Sequence, residues 1–418
     1  MFQYEWFGFV IIFTIGLVLT LGPGSSRFPR RVAEVLVAGV ITHAIGTLLR
    51  YWVLYGFYDG GDAGRYYRLG LDCARQIWSM DFSFLDAKYW EYAKLWGTQA
   101  VIFFSGFVLS LMGPSKIGEF LFFSFISMAG LLFFCRAFGV NYPHADTRNY
   151  ARWILFWPSL CFWPSSAGKD SLILLAAALV VYGYAGSSKR ILWFSLLLGL
   201  LIASCVRPQV AGVLMVAIAV AHWVSPTKKW TAMHFLQGFL LMVVLALVLQ
   251  QGLSSLGMSG FDSDDLRGYI GKASNKSMRG GSAITTPGLS VLGLPLAVVN
   301  VLFRPFPWEA GSILSAAACV EILLFWLMVI VRRRRIMAVM MEWRNTKLLR
   351  VAVPLTILYV VLLGLAIGNL GIIARQRIHV MPLLLIWLEA LPLPVTSRQP
   401  VVERRRFPRI VPIPGAAH

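Results

Sequence analysis

The chain has 418 residues, 58% of them hydrophobic and 14% charged, whereas an ordinary soluble domain carries about 25% charged residues. That balance excludes a cytosolic globular enzyme, and apolar runs of about 20 residues recur from Phe7 to Leu393, so the length is best counted in membrane spans. The net charge of +19 would suggest nucleic acid in a soluble protein, but the basic residues sit in short loops between apolar runs, where they set membrane orientation, and nucleic-acid binding is discarded.

The first apolar run, 7–21, follows MFQYE, which has no basic residue, and precedes Arg27, Arg30 and Arg31. A cleavable signal peptide has the opposite charge order, so a retained span with its N-terminus outside is expected. A second span, 32–55, returns outward. The short apolar run 98–112 then decides everything downstream. If it crosses, the tetra-arginine Arg332 to Arg335 lands outside; if it is a re-entrant or juxtamembrane hairpin, every basic loop falls inside together, as the positive-inside rule prefers. The hairpin is therefore predicted, with later spans at 117–135, 153–165, 171–185, 191–205, 210–224, 235–252, 312–331, 351–370 and 379–394.

This is an all-α polytopic membrane protein of about eleven transmembrane helices. Residues 1–395 form a single transmembrane domain with two outer loops, 56–116 and 253–311, and 396–418 form a basic cytoplasmic tail. The second loop opens Gly/Ser-rich and ends in LPLAVVNVLFRPFPWE, a pattern that predicts a flexible stretch leading into a membrane-surface helix. The five cysteines form no CxxC and no Cys/His pairing, so neither a disulfide scaffold nor a zinc site is expected.

Several polar residues are not explained by membrane burial. In YDGGDAGRYY, Asp59 and Asp62 stand at the exit of the second span. A carboxylate at a hydrocarbon boundary suits a general base, two carboxylates three apart suit a shared divalent cation, and either one suits the cap of the helix starting near Arg65. Lys169 and Asp170, in WPSSAGKDS, sit on an outer turn with almost no loop. They read as a phosphate contact with its partner, or as a mutually neutralised pair. Arg207 before Pro208, Arg304 in FRPFPWE, and Arg375, Arg377 and His379 in ARQRIHVMP all lie at outer span ends, where desolvated guanidinium groups call for an anion; lipid-headgroup snorkelling is the bland alternative. Arg375 and Arg377 with His379 read as one anion site, Glu309 as the partner of Arg304, and Glu321 and Glu389 as structural groups within spans, with a transporter's proton relay as the alternative.

The acidic motif after an early span, the hydrophobic hairpin GTQAVIFFSGFVLSLMGPS, the charged outer turn WPSSAGKDS, the late VLFRPFPWE segment and the R-x-R of ARQRIHVMP together give a chain that resembles the GT-C superfamily of integral-membrane glycosyltransferases. The likeness is to the bacterial exopolysaccharide and O-antigen branch, over roughly residues 33–395. The resemblance implies a GT-C-like fold in the bacterial cell inner membrane. It also implies inverting transfer of a sugar from a polyprenyl-phosphate or polyprenyl-diphosphate donor to a glycan or lipid-linked acceptor at the outer face. On that likeness Asp59, with Asp62 as runner-up, takes the acceptor proton. Arg375, Arg377, Lys169 and Arg207 steady the phosphate, with no metal strictly required and magnesium or manganese the only cofactor left open. Two other classes compete: a transporter or flippase of a lipid-linked sugar, whose signature would be inverted repeats and mid-bilayer charges, and a non-catalytic scaffold of a polysaccharide-export complex.

Overall fold

The structure is a computed structural model and describes residues 2–21, 30–83, 97–187, 190–225, 232–256, 263–278, 282–287 and 293–391. The predicted tail, 396–418, lies outside the described residues. Among those residues the chain is all helical, with one isolated bridge between Ala283 and Asn369 and no strand. Four helices are long and apolar enough to cross a membrane, or five if one bent pair counts as a single span, and six shorter apolar helices accompany them.

Side-chain contacts sort the helix ends into two groups. Helix α1 (Phe2–Leu19) lies parallel to α5 (Lys116–Asn141): a Cβ on Gly8 would meet Ser115, and one on Gly16 would meet Phe125. The Glu5 carboxylate accepts from the backbone amides of Lys116 (2.7 Å) and Ile117 (3.2 Å), so the first helix caps the open N-terminus of the fifth, where the helix dipole favours an anion. Helix α2 (Arg30–Phe57) runs the other way, with Tyr51 packed on Phe120 at one end and Glu34 paired with Arg148 (3.0 Å) at the other.

The turn after α2 is Tyr58-Asp59-Gly60-Gly61, three of whose residues have positive φ (48°, 77° and 49°). Asp tolerates this left-handed conformation and Gly adopts it freely, so α3 (Gly61–Trp78) starts almost at once. Helix α4 (Thr98–Met112) is one unbroken helix lying parallel to α3. A Cβ on Gly70 would fall 2.7 Å from the Ser105 Cβ and one on Gly106 2.6 Å from the Cys73 Cβ, and the Trp78 indole donates to the Ser110 carbonyl. The expected helical hairpin within 97–115 is thus absent. Gly106 supplies close helix contact rather than a turn. Both ends of α4 lie at one end of the bundle: the Gly97 amide donates to the Cys205 carbonyl (2.6 Å), and Met112 packs against the cluster of Tyr67, Ala74 and Leu109, next to Lys116.

The segment read as a fourth span is two short helices, α6 (Thr147–Phe156) and α7 (Pro158–Phe162), broken where Pro158 follows Trp157. Next come α8 (Lys169–Ala185), α9 (Trp193–Val206), α10 (Pro208–Trp223) and α11 (Ala232–Leu256). Helix α11 runs antiparallel to α10, since Phe235 meets Trp223 at one end and Leu249 faces Gly212 toward the other. Two further helices, α12 (Ser263–Ser277) and α13 (Gly293–Leu302), follow. α13 falls in LPLAVVNVLF, the segment where a membrane-surface helix is expected, and it presses the Ala297 carbonyl onto Gly364 with no room for a Cβ. After a 3₁₀ turn, Pro307–Glu309, come α14 (Ile313–Val331), α15 (Arg333–Met341) and α16 (Lys347–Ala366).

The predicted last span, 379–394, is instead the second half of a bent pair. α17 (Leu370–Gln376) and a 3₁₀ turn, Arg377–His379, meet α18 (Met381–Glu389) at 59°, with Pro382 at the start of α18. A continuous core runs from Val35 to Ala390, while Phe194, Leu201, Phe239, Leu247, Leu323 and Leu327 face outward. Exposed large side chains of this kind on helix flanks suit contact with lipid.

Candidate functional site

A cavity of about 530 Å³ opens where six pieces of chain converge at the end of the bundle that holds Gly97 and Cys205. Its wall comprises Asp62, Arg65 and Tyr66 from the first turns of α3, Gly97 and Thr98 at the start of α4, and Lys169 at the start of α8. The remainder is Arg207 and Gln209 at the α9/α10 junction, Lys276 near the end of α12, and Arg375 and Gln376 from α17. The volume falls within the usual range of small-molecule sites, about 300–1,000 Å³. Gly97 has φ 71° and ψ −114°, a conformation open essentially to glycine, and a Cβ there would lie 3.7 Å from the Lys169 Nζ.

The site is organised from behind by Asp170. Its carboxylate is 2% exposed and accepts from Arg207 Nη2 at 2.9 Å and from Arg375 Nε, and His379 Nε2 lies 3.9 Å away. The other nitrogen of His379, Nδ1, hydrogen-bonds the Tyr359 hydroxyl at 2.7 Å, fixing the ring. Arg207 is placed by its sequence neighbour: a residue before proline is held extended, so α9 ends there and α10 begins at Pro208, swinging the guanidinium inward. Its Nη1 is buried and has no hydrogen-bond partner among the described residues.

Asp170 is therefore not the partner of Lys169. Adjacent helical residues point about 100° apart, and Lys169 turns to the cavity while Asp170 turns to the arginines. Five cations on the wall against Asp62 and Asp170 leave a net charge of +3, so the cavity is built to receive an anion. Burial pushes the Tyr66 phenol above its ordinary value, which keeps it a neutral hydrogen-bond donor.

The structure separates residues that the sequence grouped. Asp62 lies on the cavity wall; Asp59 lies on the exposed turn before it and is not among the lining residues. Neither caps α3, whose N-cap is Gly60 with no side-chain bond. Arg375 and Arg377 do not form one anion site. Two helical positions apart they diverge by about 200°, and Arg377, 5% exposed, instead donates to the Arg304 carbonyl and lines a separate apolar groove with Glu321. Arg304 is spent on Glu309, with Nε 2.8 Å and 3.1 Å from its two oxygens, and on the Asn300 amide oxygen at 3.0 Å. That pairing holds the Glu309 carboxyl below the usual glutamate range. Glu321 accepts from the Trp157 indole (2.7 Å) and the Ser159 amide (2.8 Å), and Glu389 from Trp153 (2.9 Å) and Arg332, both structural bonds.

Sequence reasoning missed Arg65, Tyr66, Thr98, Gln209, Lys276 and Gln376 on the wall. Arg65 was legible, since it sits three residues after Asp62 on one helical face. It also missed Arg50, buried in α2 with its guanidinium 5.0 Å from the Phe162 ring centre and 4.8 Å from that of Trp163, within electrostatic reach of Asp170. Lys276 comes from a Gly/Ser-rich stretch with no periodic signal. A divalent cation does not fit this donor set: five cations around the one accessible carboxylate repel it, and no three His, Cys, Asp or Glu side chains gather as a metal site among the described residues. Comparison with protein-family models, curated proteins and solved structures finds no match to the chain.

Proposed function

We propose that this chain is a membrane glycosyltransferase that moves a sugar from a polyprenyl-phosphate or polyprenyl-diphosphate carrier to a glycan or lipid-linked acceptor, in cell-surface polysaccharide or glycolipid synthesis. The observation that carries the reading is the cavity in which five cations surround one accessible carboxylate. Its setting is eleven passages between the two helix-end groups: α1, α2, α5, the α6/α7 pair, α8, α9, α10, α11, α14, α16 and the bent α17/α18 pair. α3 and α4 lie across the cavity end without crossing. Arg148, Arg152, Arg332 to Arg335 and Lys347 cluster at the opposite end, which the positive-inside rule assigns to the cytoplasm; the cavity then faces outward from a bacterial inner membrane.

The chemistry is an inverting displacement. The Asp62 carboxylate takes the proton of an acceptor hydroxyl, whose oxygen bonds to the anomeric carbon from the face opposite the phosphate, and the bond from that carbon to the phosphate oxygen breaks. Negative charge grows on the departing phosphate. Lys169, Arg207, Lys276 and Arg375, held in place before reaction begins, stabilise it most as the bond breaks. The Asp170, His379 and Tyr359 chain keeps Arg207 and Arg375 aimed at that point, and no step needs a metal.

The test is donor binding. Full-length protein in nanodiscs is titrated with a polyprenyl phosphate in wild type and in Lys169→Ala and Lys276→Ala. Each loss of a cation–phosphate contact should weaken binding about tenfold or more. Affinity that is the same in all three would remove the phosphate from this cavity.

A further inference from the structure

A second cavity, of about 760 Å³, lies at the opposite end of the bundle between α6 and α14, and the site proposed above makes no use of it. Its lining is divided by chemistry. Trp153, Phe156, Trp157, Pro158, Leu324 and Met328 form an apolar wall, and Asn149, Arg152, Arg332 and Glu389 form a polar rim. The wall opens sideways toward the lipid-facing surface, for Phe156 and Leu324 are 37% and 51% exposed.

On the rim, the single carboxylate is fully engaged: Glu389 accepts from Trp153 and from Arg332, and Arg335 lies 3.9 Å away. Arg332 also stands 5.9 Å from the centre of the Trp153 ring, which pins it against the aromatic wall. Arg152 is exposed and, among the described residues, bonds the neutral Asn149 amide oxygen, at 3.3 Å. Arg333 and Arg334, on the next turn, are exposed as well. The rim therefore carries surplus positive charge directly above an apolar slot large enough for hydrocarbon, at a helix end lined with tryptophan.

We infer that this cavity binds an anionic phospholipid of the leaflet at that end, its phosphate on Arg152 and Arg332 and its acyl chains against Phe156, Leu324 and Met328. A zwitterionic lipid meets the same slot, but its choline group adds a positive charge beside the arginines, so the site selects for net negative headgroups. Naming the leaflet cytoplasmic rests on the orientation proposed above; the site itself does not, and its failure would leave the cavity at the other end untouched.

The experiment measures lipid retained by the purified full-length chain by native mass spectrometry, with phosphatidylglycerol or phosphatidylcholine added back after delipidation. Wild type should retain phosphatidylglycerol in preference, and the preference should shrink as salt rises. Arg152→Gln should weaken phosphatidylglycerol binding roughly fivefold, the share of one arginine at a membrane surface. Arg344→Gln, which removes an exposed charge at the same end but outside the cavity lining, should not. Leu324→Trp, which fills the slot and leaves the rim intact, should lower retention of both lipids. Equal retention of the two lipids by wild type, or equal losses in Arg152→Gln and Arg344→Gln, would overturn the site.

Discussion

Asp170→Asn is the most informative structural perturbation, because it removes charge without changing volume. The native carboxylate is 2% exposed and serves two guanidinium groups whose side chains are only 13% and 28% exposed. The variant leaves both cations facing each other across a wall that already holds Lys169 and Lys276, with the accessible Asp62 as the one acid left among the described lining residues. Breaking a buried pair by deleting one partner costs about 3–5 kcal/mol, and a second arginine on the same oxygens puts this site at the upper end of that range. Equilibrium unfolding of detergent-purified protein, followed by tryptophan fluorescence, measures the loss. A cycle with Arg375→Gln sharpens it, since the double variant relieves one orphaned cation and should recover about 1–3 kcal/mol relative to the sum of the single losses. A loss below about 1 kcal/mol in Asp170→Asn, or strict additivity in the cycle, would refute the reasoning that Asp170 is the anchor of the cationic wall.

Two further predictions concern orientation and pH. Single cysteines at Asn275 and Asn345, both exposed, in a background lacking reactive cysteines, should be labelled on intact cells by an impermeant thiol reagent at 275 and not at 345; the reverse pattern would invert the topology. The Glu309 carboxyl is held down first by its hydrogen bond from Arg304, so folding gains from the ionised form above the unfolded glutamate pKa of about 4.3, and that gain disappears as pH falls through the lower folded value. Wild type should therefore be more stable than Glu309→Gln at pH 7, and the two melting curves should converge on acidification. A gap that persists at low pH would show that Glu309 acts by packing alone.

Much of the helical plan is legible in the apolar runs, because each run must bury or satisfy its own backbone. The runs at 171–185, 191–205 and 312–331 become α8, α9 and α14 with ends shifted by only a residue or two. The failures have local causes. At 153–165 the run stays apolar across Trp157-Pro158, so hydropathy reads one span where the proline makes two helices. In the last span the bend at Val380 falls at the start of the predicted run, just after the polar stretch Arg375 to His379, so hydropathy leaves out the first half of the bent pair. For the site, outward position at span ends picked out Asp62, Lys169, Arg207 and Arg375, and all four share one cavity wall. The same criterion swept in Arg304 and Arg377, since it says nothing of which helical face a side chain occupies or of an acid five residues on. The bonds that organise the wall join residue 170 to residues 207 and 375, a pairing set by packing of distant helices and carrying no mark in the local sequence.

The central claim is that Asp62 acts as a base beside a phosphate-binding wall, and Asp62→Asn tests it most directly, because the amide keeps size and hydrogen bonding while losing the basic lone pair. Turnover per folded molecule, measured as carrier phosphate released from a polyprenyl-phosphate sugar in the presence of acceptor, should fall by a factor on the order of 10²–10⁴ with little change in donor affinity. Undiminished turnover in Asp62→Asn, with the donor still bound at the cationic wall, would contradict it.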